Sequence, residues 1–389
     1  EVIMKYLVVF CLLLGLNSGY SAPKSSGFFT QSGSQSVPQN GSQSGSQNGS
    51  VNSMGGSNAP TLAEAKVYSR IPEANALYIQ GLEYLSKGDS RAVGSMLSTK
   101  KALELFRQAA KKDPQFALAY VGQANAIDIL GRSVAGGMAP LRVYRQQKAA
   151  ALKAAALDDS LPQAHDQLAS IYYDNEYDWP KAEKERKRVI ELTPNDVLAH
   201  TRYSFFLGSM GRFEEAEAQV KLAQAIDEKN AAPNRAMSRI LYWQHKDDAA
   251  VAQGLEALRK DDNLRTHFYL AYVYIHKGQF DKGIEEMKLA SFNDADSLAA
   301  LAFAYAMAGN KTELESTLER LKHHPSHAFY GLAQVHAALG DKNRAISLLE
   351  KAYQERSNRM NYLKVDPAFD ILRQEPRFKQ LMRKMNFEQ

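Results

Sequence analysis

The chain has 389 residues, 44% of them hydrophobic and 23% charged, with a net charge of +5. This length supports more than one ordinary domain or one long repeat array, and the mixed charge without a Lys/Arg run excludes an obvious nucleic-acid binder. The single cysteine, Cys11, excludes a disulfide framework, a cysteine-built zinc site or a cysteine nucleophile anywhere else in the chain.

Residues 1–21 read as a signal peptide. Met4 and Lys5 precede the apolar run YLVVFCLLLGL, which is short for a bilayer span. Gly19 and Ser21 are small residues that suit cleavage after Ser21, and residues 1–3 precede the expected start Met. Phe10 before Cys11 argues against a lipoprotein site. The alternative is a membrane tether by an uncleaved signal. Both place the bulk of the chain outside the cytoplasm, in a periplasmic or secreted location, with no stable span once the signal is removed.

Residues 22–60 are almost entirely Ser, Gly, Gln and Asn. Such a composition buries too little apolar surface to offset ordering entropy, so a disordered linker of about 40 Å end-to-end reach is expected. In a eukaryotic source Asn40 and Asn48 would be glycosylation acceptors.

From Thr61 onward every pattern is helical. Pro72 suits a first helical turn, and residues 73–87 follow as a helix. A glycine or its stand-in then recurs at Gly211, His245, Gly278, Gly309 and Gly340, in steps of 34, 33, 31 and 31 residues. That period is the signature of a helical solenoid, each unit being two antiparallel helices joined at a left-handed cap. Ala216, Ala250, Gly283 and Ala345 are the small residues at which the second helices approach closely; Leu314 replaces one of them. Two insertions are expected, one over residues 88–99 and one near Gly136.

These units resemble tetratricopeptide repeats. Leu77, Gly81 and Tyr84 on one helix, then Ala102, Phe106, Ala109 and Pro114 on the next, follow the family pattern closely. The third unit ends at Pro194, and about eight units fill residues 61–354. The region is similar to the repeat regions that follow winged-helix regulators, adenylate cyclases and serine/threonine kinases in bacteria, here without those effector domains. The resemblance implies an all-α, right-handed superhelical solenoid. Residues 355–389 are similar to the end of those regions and are expected to cap the array. Asp366 and Pro367 start one helix and Pro376 another, with Phe378, Leu381, Met382 and Met385 on one side.

No enzyme chemistry stands out. Ser98 and Lys101 match an S-x-x-K spacing without partner motifs, and Ser98 suits a helix cap. His323, His324 and His327 form an imidazole cluster in a turn, while His165, His200 and His267 suit half-buried packing. Asp174, Glu176 and Asp178 lack the glycine and distal Glu of a calcium loop. Tyr84, Tyr172, Tyr274 and Tyr305 are expected to pack. No cofactor, metal or catalytic residue is assigned.

The resemblance implies that the first helices of successive units line a concave face. Carried over unit by unit, this face holds Asn125 and Asp128, then Asp166, Ser170 and Tyr173, then Thr201 and Phe205. Arg235, Arg239, Tyr242 and Trp243 follow, then Phe268, Tyr272 and His276, then Phe303 and Met307, and last Tyr330 and Gln334. Arg235 and Arg239 lie one turn apart beside Tyr242 and Trp243, a place for an acidic or aromatic peptide side chain. The Lys/Asn clamp of chaperone-binding members is not visible. The expected function is an exported, non-enzymatic scaffold binding a protein or extended peptide in this groove, with no nucleic acid as partner. The alternatives are a glycan-binding receptor of the envelope or extracellular space, using stacked Tyr and Trp, and a non-catalytic subunit of an enzyme complex.

Overall fold

The architecture follows from one local device repeated. The computed structural model describes residues 68–87, 93–132, 140–290, 295–324 and 328–387, and the predicted signal peptide and linker lie outside them. From Ser69 onward these residues belong to one compact unit. Seventeen α-helices and no strand occur among the described residues. They pair as α1 (Pro72–Lys87) with α2 (Val93–Lys112), α3 (Ala117–Arg132) with α4 (Pro140–Leu157), α5 (Pro162–Ile171) with α6 (Trp179–Leu192), and α7 (Val197–Ser209) with α8 (Phe213–Ile226). The pairs α9 (Ala231–Trp243) with α10 (Asp247–Lys260), α11 (Leu264–His276) with α12 (Phe280–Leu289), α13 (Ala295–Met307) with α14 (Lys311–Lys322), and α15 (Phe329–Ala338) with α16 (Lys342–Gln354) complete eight units. At the first six joints the second helix also packs on the next first helix, and at the last joint α13 packs on α15, so the array is a continuous solenoid. None of the described helices is long and apolar enough to cross a membrane.

The predicted left-handed residues are the joints. Gly211, His245, Gly278, Gly309 and Gly340 have φ of 78°, 59°, 75°, 69° and 78°. After each, the next amide donates to the carbonyl five residues back, as in Arg212 to Leu207 at 2.9 Å and Asn310 to Tyr305 at 3.0 Å. This closure uses carbonyls that the helix end leaves unpaired. Tyr177, at φ 54°, plays the part in the third unit after a π-helical turn over Tyr172–Glu176. Side-chain caps then restart the helices: Asp196, Asn230 and Asn263 before first helices, Asp178, Asn310 and Asp341 before second ones.

Small residues set the spacing. Ala216, Ala250 and Ala345 are fully buried. In the first unit Phe106 is clamped between Gly81 and Gly122; a Cβ on Gly81 would lie 2.5 Å from its ring. Because Phe106 is itself fully buried, it has no room to yield. Gly81→Ala is therefore expected to destabilise the chain by about 1–3 kcal/mol, read as a lower midpoint in urea-induced unfolding.

Two local expectations are corrected. Residues 93–99 are not an insertion but the first turns of α2, so Ser98 lies inside a helix and not at its cap. No Pro interrupts VGSMLSTKKA, and a helix nucleated on the buried Ala102–Phe106 face propagates backward at little cost. Tyr84 is 36% exposed, whereas Tyr172, Tyr274 and Tyr305 are buried as expected.

Beyond α16 the chain forms two 3-10 turns, Asn358–Tyr362 and Pro367–Leu372, and a last helix α17 (Pro376–Lys384). Asp366 caps the second turn, accepting from the Ala368 amide at 3.1 Å with Pro367 at the first position. Phe378, Leu381, Met382 and Met385 form one buried face, as their spacing requires. This segment closes the last unit: Arg377 pairs with Glu350 at 2.8 Å and Lys342 with Glu375 at 2.9 Å.

Candidate protein-binding groove

The C-terminal segment does more than cover α15 and α16. It runs along the inner face of the solenoid. Arg359 donates to the Tyr272 hydroxyl at 3.0 Å and sits over the Phe268 and Tyr330 rings. Tyr362 packs on Trp243 with ring centroids 5.4 Å apart. The Asp366 carboxylate, 1% exposed, accepts from Tyr330 at 2.7 Å and Gln334 at 2.9 Å. Phe369 meets the Tyr330 ring edge-on at 5.2 Å. At the far end the segment reaches the third unit: the Trp179 indole donates to the Met385 carbonyl at 2.9 Å and stacks on Phe387 at 4.8 Å. Tyr177 stacks on Tyr353 at 5.7 Å, Asn361 donates to Asp174 at 2.8 Å, and Asn386 donates to the Tyr177 carbonyl at 3.1 Å.

This route decides what each predicted groove residue does. Tyr242, Trp243, Tyr272, Phe303 and Tyr330 are buried aromatics; Tyr272 stacks on Phe303 at 5.6 Å and bonds Gln334 at 2.9 Å. Trp243 is 2% exposed, so it offers no open face on which a sugar can stack. Burial next to Asp366 raises the Tyr242 and Tyr330 hydroxyl pKa values well above the ordinary range. His276 sits at the rim, paired with Asp247 at 2.7 Å, and Met307 is exposed.

Three further residues are interior polar partners. Asn125 and Gln147 both bond the side chain of Gln167, which links α3, α4 and α5. Asp166 is buried and takes Arg186 and Arg202 on its two oxygens. Tyr173 is half-buried, donates to Ser209 at 2.8 Å and touches Trp179 edge-on.

The half-open part of the inner face is shorter than the predicted row. Phe205, Phe268, Tyr269, Arg202, Arg265 and Tyr362 are all partly exposed there. Phe205 contacts Trp243 and Tyr269. Behind them lie Arg235 and Arg239, both buried. Arg239 is surrounded by Tyr242, Trp243, Tyr269, Tyr272 and Tyr362 at 4.9–5.6 Å from ring centroids, a cation–π enclosure. Burial works against its charge, but Asp366 and the tyrosines outweigh it and raise its pKa. The Arg265, Tyr269 and Tyr362 contributions were missed in the sequence. Tyr269 is next to the predicted Phe268, and Tyr362 belongs to the segment read only as a cap.

The other candidate clusters resolve into structural pairs. His165 bonds Glu185 at 2.6 Å, His200 bonds Gln219 at 2.7 Å, and His267 bonds Glu286 at 2.5 Å. Asn234 and Gln253 repeat the same first-helix to second-helix bond at 2.8 Å, so four consecutive units share it. Glu176 takes Tyr144 and Lys148, Asp178 caps α6, and His323 faces Glu319, while His327 lies outside the described residues.

Glu183 shows the strongest acid effect. Burial alone would raise its carboxyl, but bonds from Arg212 at 2.7 Å, Lys187 at 2.9 Å and Tyr203 at 2.8 Å bring it from 4.5 to about 2. A depressed acid stabilises the fold above its unfolded pKa and loses that contribution as pH falls through the folded value. Thermal melts between pH 7 and 2 should thus show a stability loss from about pH 4.5 to 2 that is smaller in Glu183→Gln.

The fold and this inner face define a helical-repeat solenoid. The tetratricopeptide-repeat family profile matches residues 326–359, the span of α15 and α16, and the same helix pair recurs eight times among the described residues, so the fold is a tetratricopeptide-repeat solenoid. Solved structures are similar at low identity, and the first of these supports the fold. The Cut9–Hcn1 hetero-tetramer of the APC/C is 13% identical, with 70% of this chain and 48% of that chain covered and a TM-score of 0.51. Yeast Tom70 is 18% identical, with 83% and 69% covered and a TM-score of 0.49. A tetratricopeptide-repeat protein of Thermus thermophilus is 18% identical, with 50% and 99% covered and a TM-score of 0.41. No curated protein sequence matches the chain.

Proposed function

We propose that the protein is an exported, non-enzymatic interaction scaffold that holds a protein or extended peptide on the half-open part of its concave face. The signal-like residues 1–21 and the polar linker support export and a folded body held away from a surface. The tetratricopeptide-repeat fold supports protein binding, and His165, His200 and His267 are held in pairs between the two helices of a unit. The carrying observation is the partly exposed aromatic and arginine lining between α7 and α11, bounded by Tyr362. An aromatic anchor flanked by guanidinium groups is the usual composition of a binding hot spot.

The test is capture from an envelope extract by the intact chain beside a Phe205→Ser, Tyr269→Ser double variant with unchanged helicity. A protein held by the first and lost by the second supports the reading. Equal capture by both moves the site to the outer face.

A further inference from the structure

We propose that the outer face of the first two units docks on an anionic membrane surface. Lys100, Lys101, Arg107 and Lys111 of α2 and Arg145 and Lys153 of α4 meet the headgroups, and Leu97 and Leu152 enter the layer beneath. This face belongs to the second helices of the units and is separate from the inner face.

The first ground is charge segregation. α2 carries five basic residues against one acid, and α4 four against none. At the same place in later units, α8, α10 and α12 each carry three acids against one or two bases. An excess of four on each of α2 and α4 is together larger than the net charge of +5 on the whole chain. Among the described residues, no carboxylate pairs with the six cations named. Lys112 has Glu73 at 2.5 Å, whereas Arg107 meets the neutral Gln146 at 3.5 Å.

The second ground is that these cations form one surface. On α2 the exposed residues from Leu97 to Lys112 fall on one side of the helix, at spacings of three and four. On α4 Arg145, Ala149, Leu152, Lys153 and Ala156 do the same. The Arg107–Gln146 bond joins the two helices, so their exposed sides adjoin. On α6 the cations Lys181, Lys187 and Arg188 are taken by Asp178, Glu183 and Glu191, and there the surface ends. The sequence shows no Lys/Arg run because the helical period spreads these cations; the packing of α2 beside α4 gathers them.

The third ground is the apolar content. Leu97 is 72% exposed and Leu152 44%, both on the basic sides of their helices. Cations around projecting leucines match the interface of an anionic bilayer. A single-stranded nucleic acid calls for aromatic rings on which bases stack, and neither exposed side offers one: Phe106 is buried, and Tyr144 is half-buried and bonded to Glu176. With residues 1–21 as a tether, these are also the two units nearest the bilayer along the chain.

The test is co-sedimentation of the intact chain with vesicles of phosphatidylcholine, or of phosphatidylcholine and phosphatidylglycerol in equal parts. Binding to the neutral vesicles measures the apolar run near the N-terminus, and the excess on the anionic ones measures the face. That excess should fall as salt rises, and about tenfold in the triple variant Lys100→Glu, Lys101→Glu, Lys153→Glu. It should persist in Lys221→Glu, Lys288→Glu, Lys311→Glu, which makes the same change in net charge at exposed positions of α8, α12 and α14. Leu97→Ser with Leu152→Ser keeps every charge and should lower the salt-resistant part about threefold. Unchanged helicity and melting qualify each variant. No excess on anionic vesicles, or equal loss in both triple variants, overturns the proposal; an unchanged leucine variant overturns the insertion of the leucines. An oligonucleotide bound more tightly than the anionic vesicles, with the same loss in the first triple variant, overturns it in favour of a nucleic acid. The Phe205→Ser, Tyr269→Ser variant should bind vesicles like the parent chain, so a failure here leaves the inner-face reading standing.

Discussion

A chain ending at Gln354 is expected to lose cooperative unfolding, not to gain an open groove. The segment beyond it contributes Met360, Leu363, Phe369, Leu372, Phe378, Leu381 and Met385, each at most 2% exposed. Its removal would uncover Tyr272 and Tyr330 and leave Arg239 without the Asp366 charge. The transition in circular dichroism should broaden and shift down, with binding of a hydrophobic dye. A single change reports the same packing: Phe369→Ala should cost about 3–5 kcal/mol. If the shortened chain melts as sharply and as late as the intact one, the segment is a displaceable strap and not part of the core.

The second large effect concerns Asp166. Its two oxygens hold Arg186 and Arg202, and all three side chains are largely buried. Asp166→Ala removes the carboxylate that both buried cations share, an expected loss of about 3–5 kcal/mol. Asp166→Asn keeps the shape and one acceptor and should cost less. In Asp166→Leu combined with Arg186→Met, much of the loss should return, because a matched apolar pair removes one stranded charge. Urea unfolding of the four chains measures the order. A wild-type midpoint in Asp166→Ala would mean that Asp166 is not the counterion on which the two arginines depend.

Both predictions bear on binding. The residues first placed in the groove divide into those that build it and those that still face solvent. Substituting Arg239, Tyr242 or Trp243 disturbs a packed interior, so a binding defect there would report folding. Phe205, Arg265 and Tyr269 are the positions at which contact and stability separate.

The sequence by itself determined the repeat. Joints at Gly211, His245, Gly278, Gly309 and Gly340 need a left-handed residue, small residues such as Ala216 and Ala250 set close helix approach, and Asp366 with Pro367 starts a turn. All these act within one unit or between neighbours, about 34 residues apart, where pattern is readable. Only the tertiary structure decided where the last segment lies. Trp179 meets Phe387 and Tyr272 meets Arg359 across long stretches of chain. Such contacts depend on the summed rotation of many stacked units, and no local period records that sum. The same cause hid the fate of the inner row: an aromatic at helical spacing looks alike whether it awaits a partner or already holds the chain's own end.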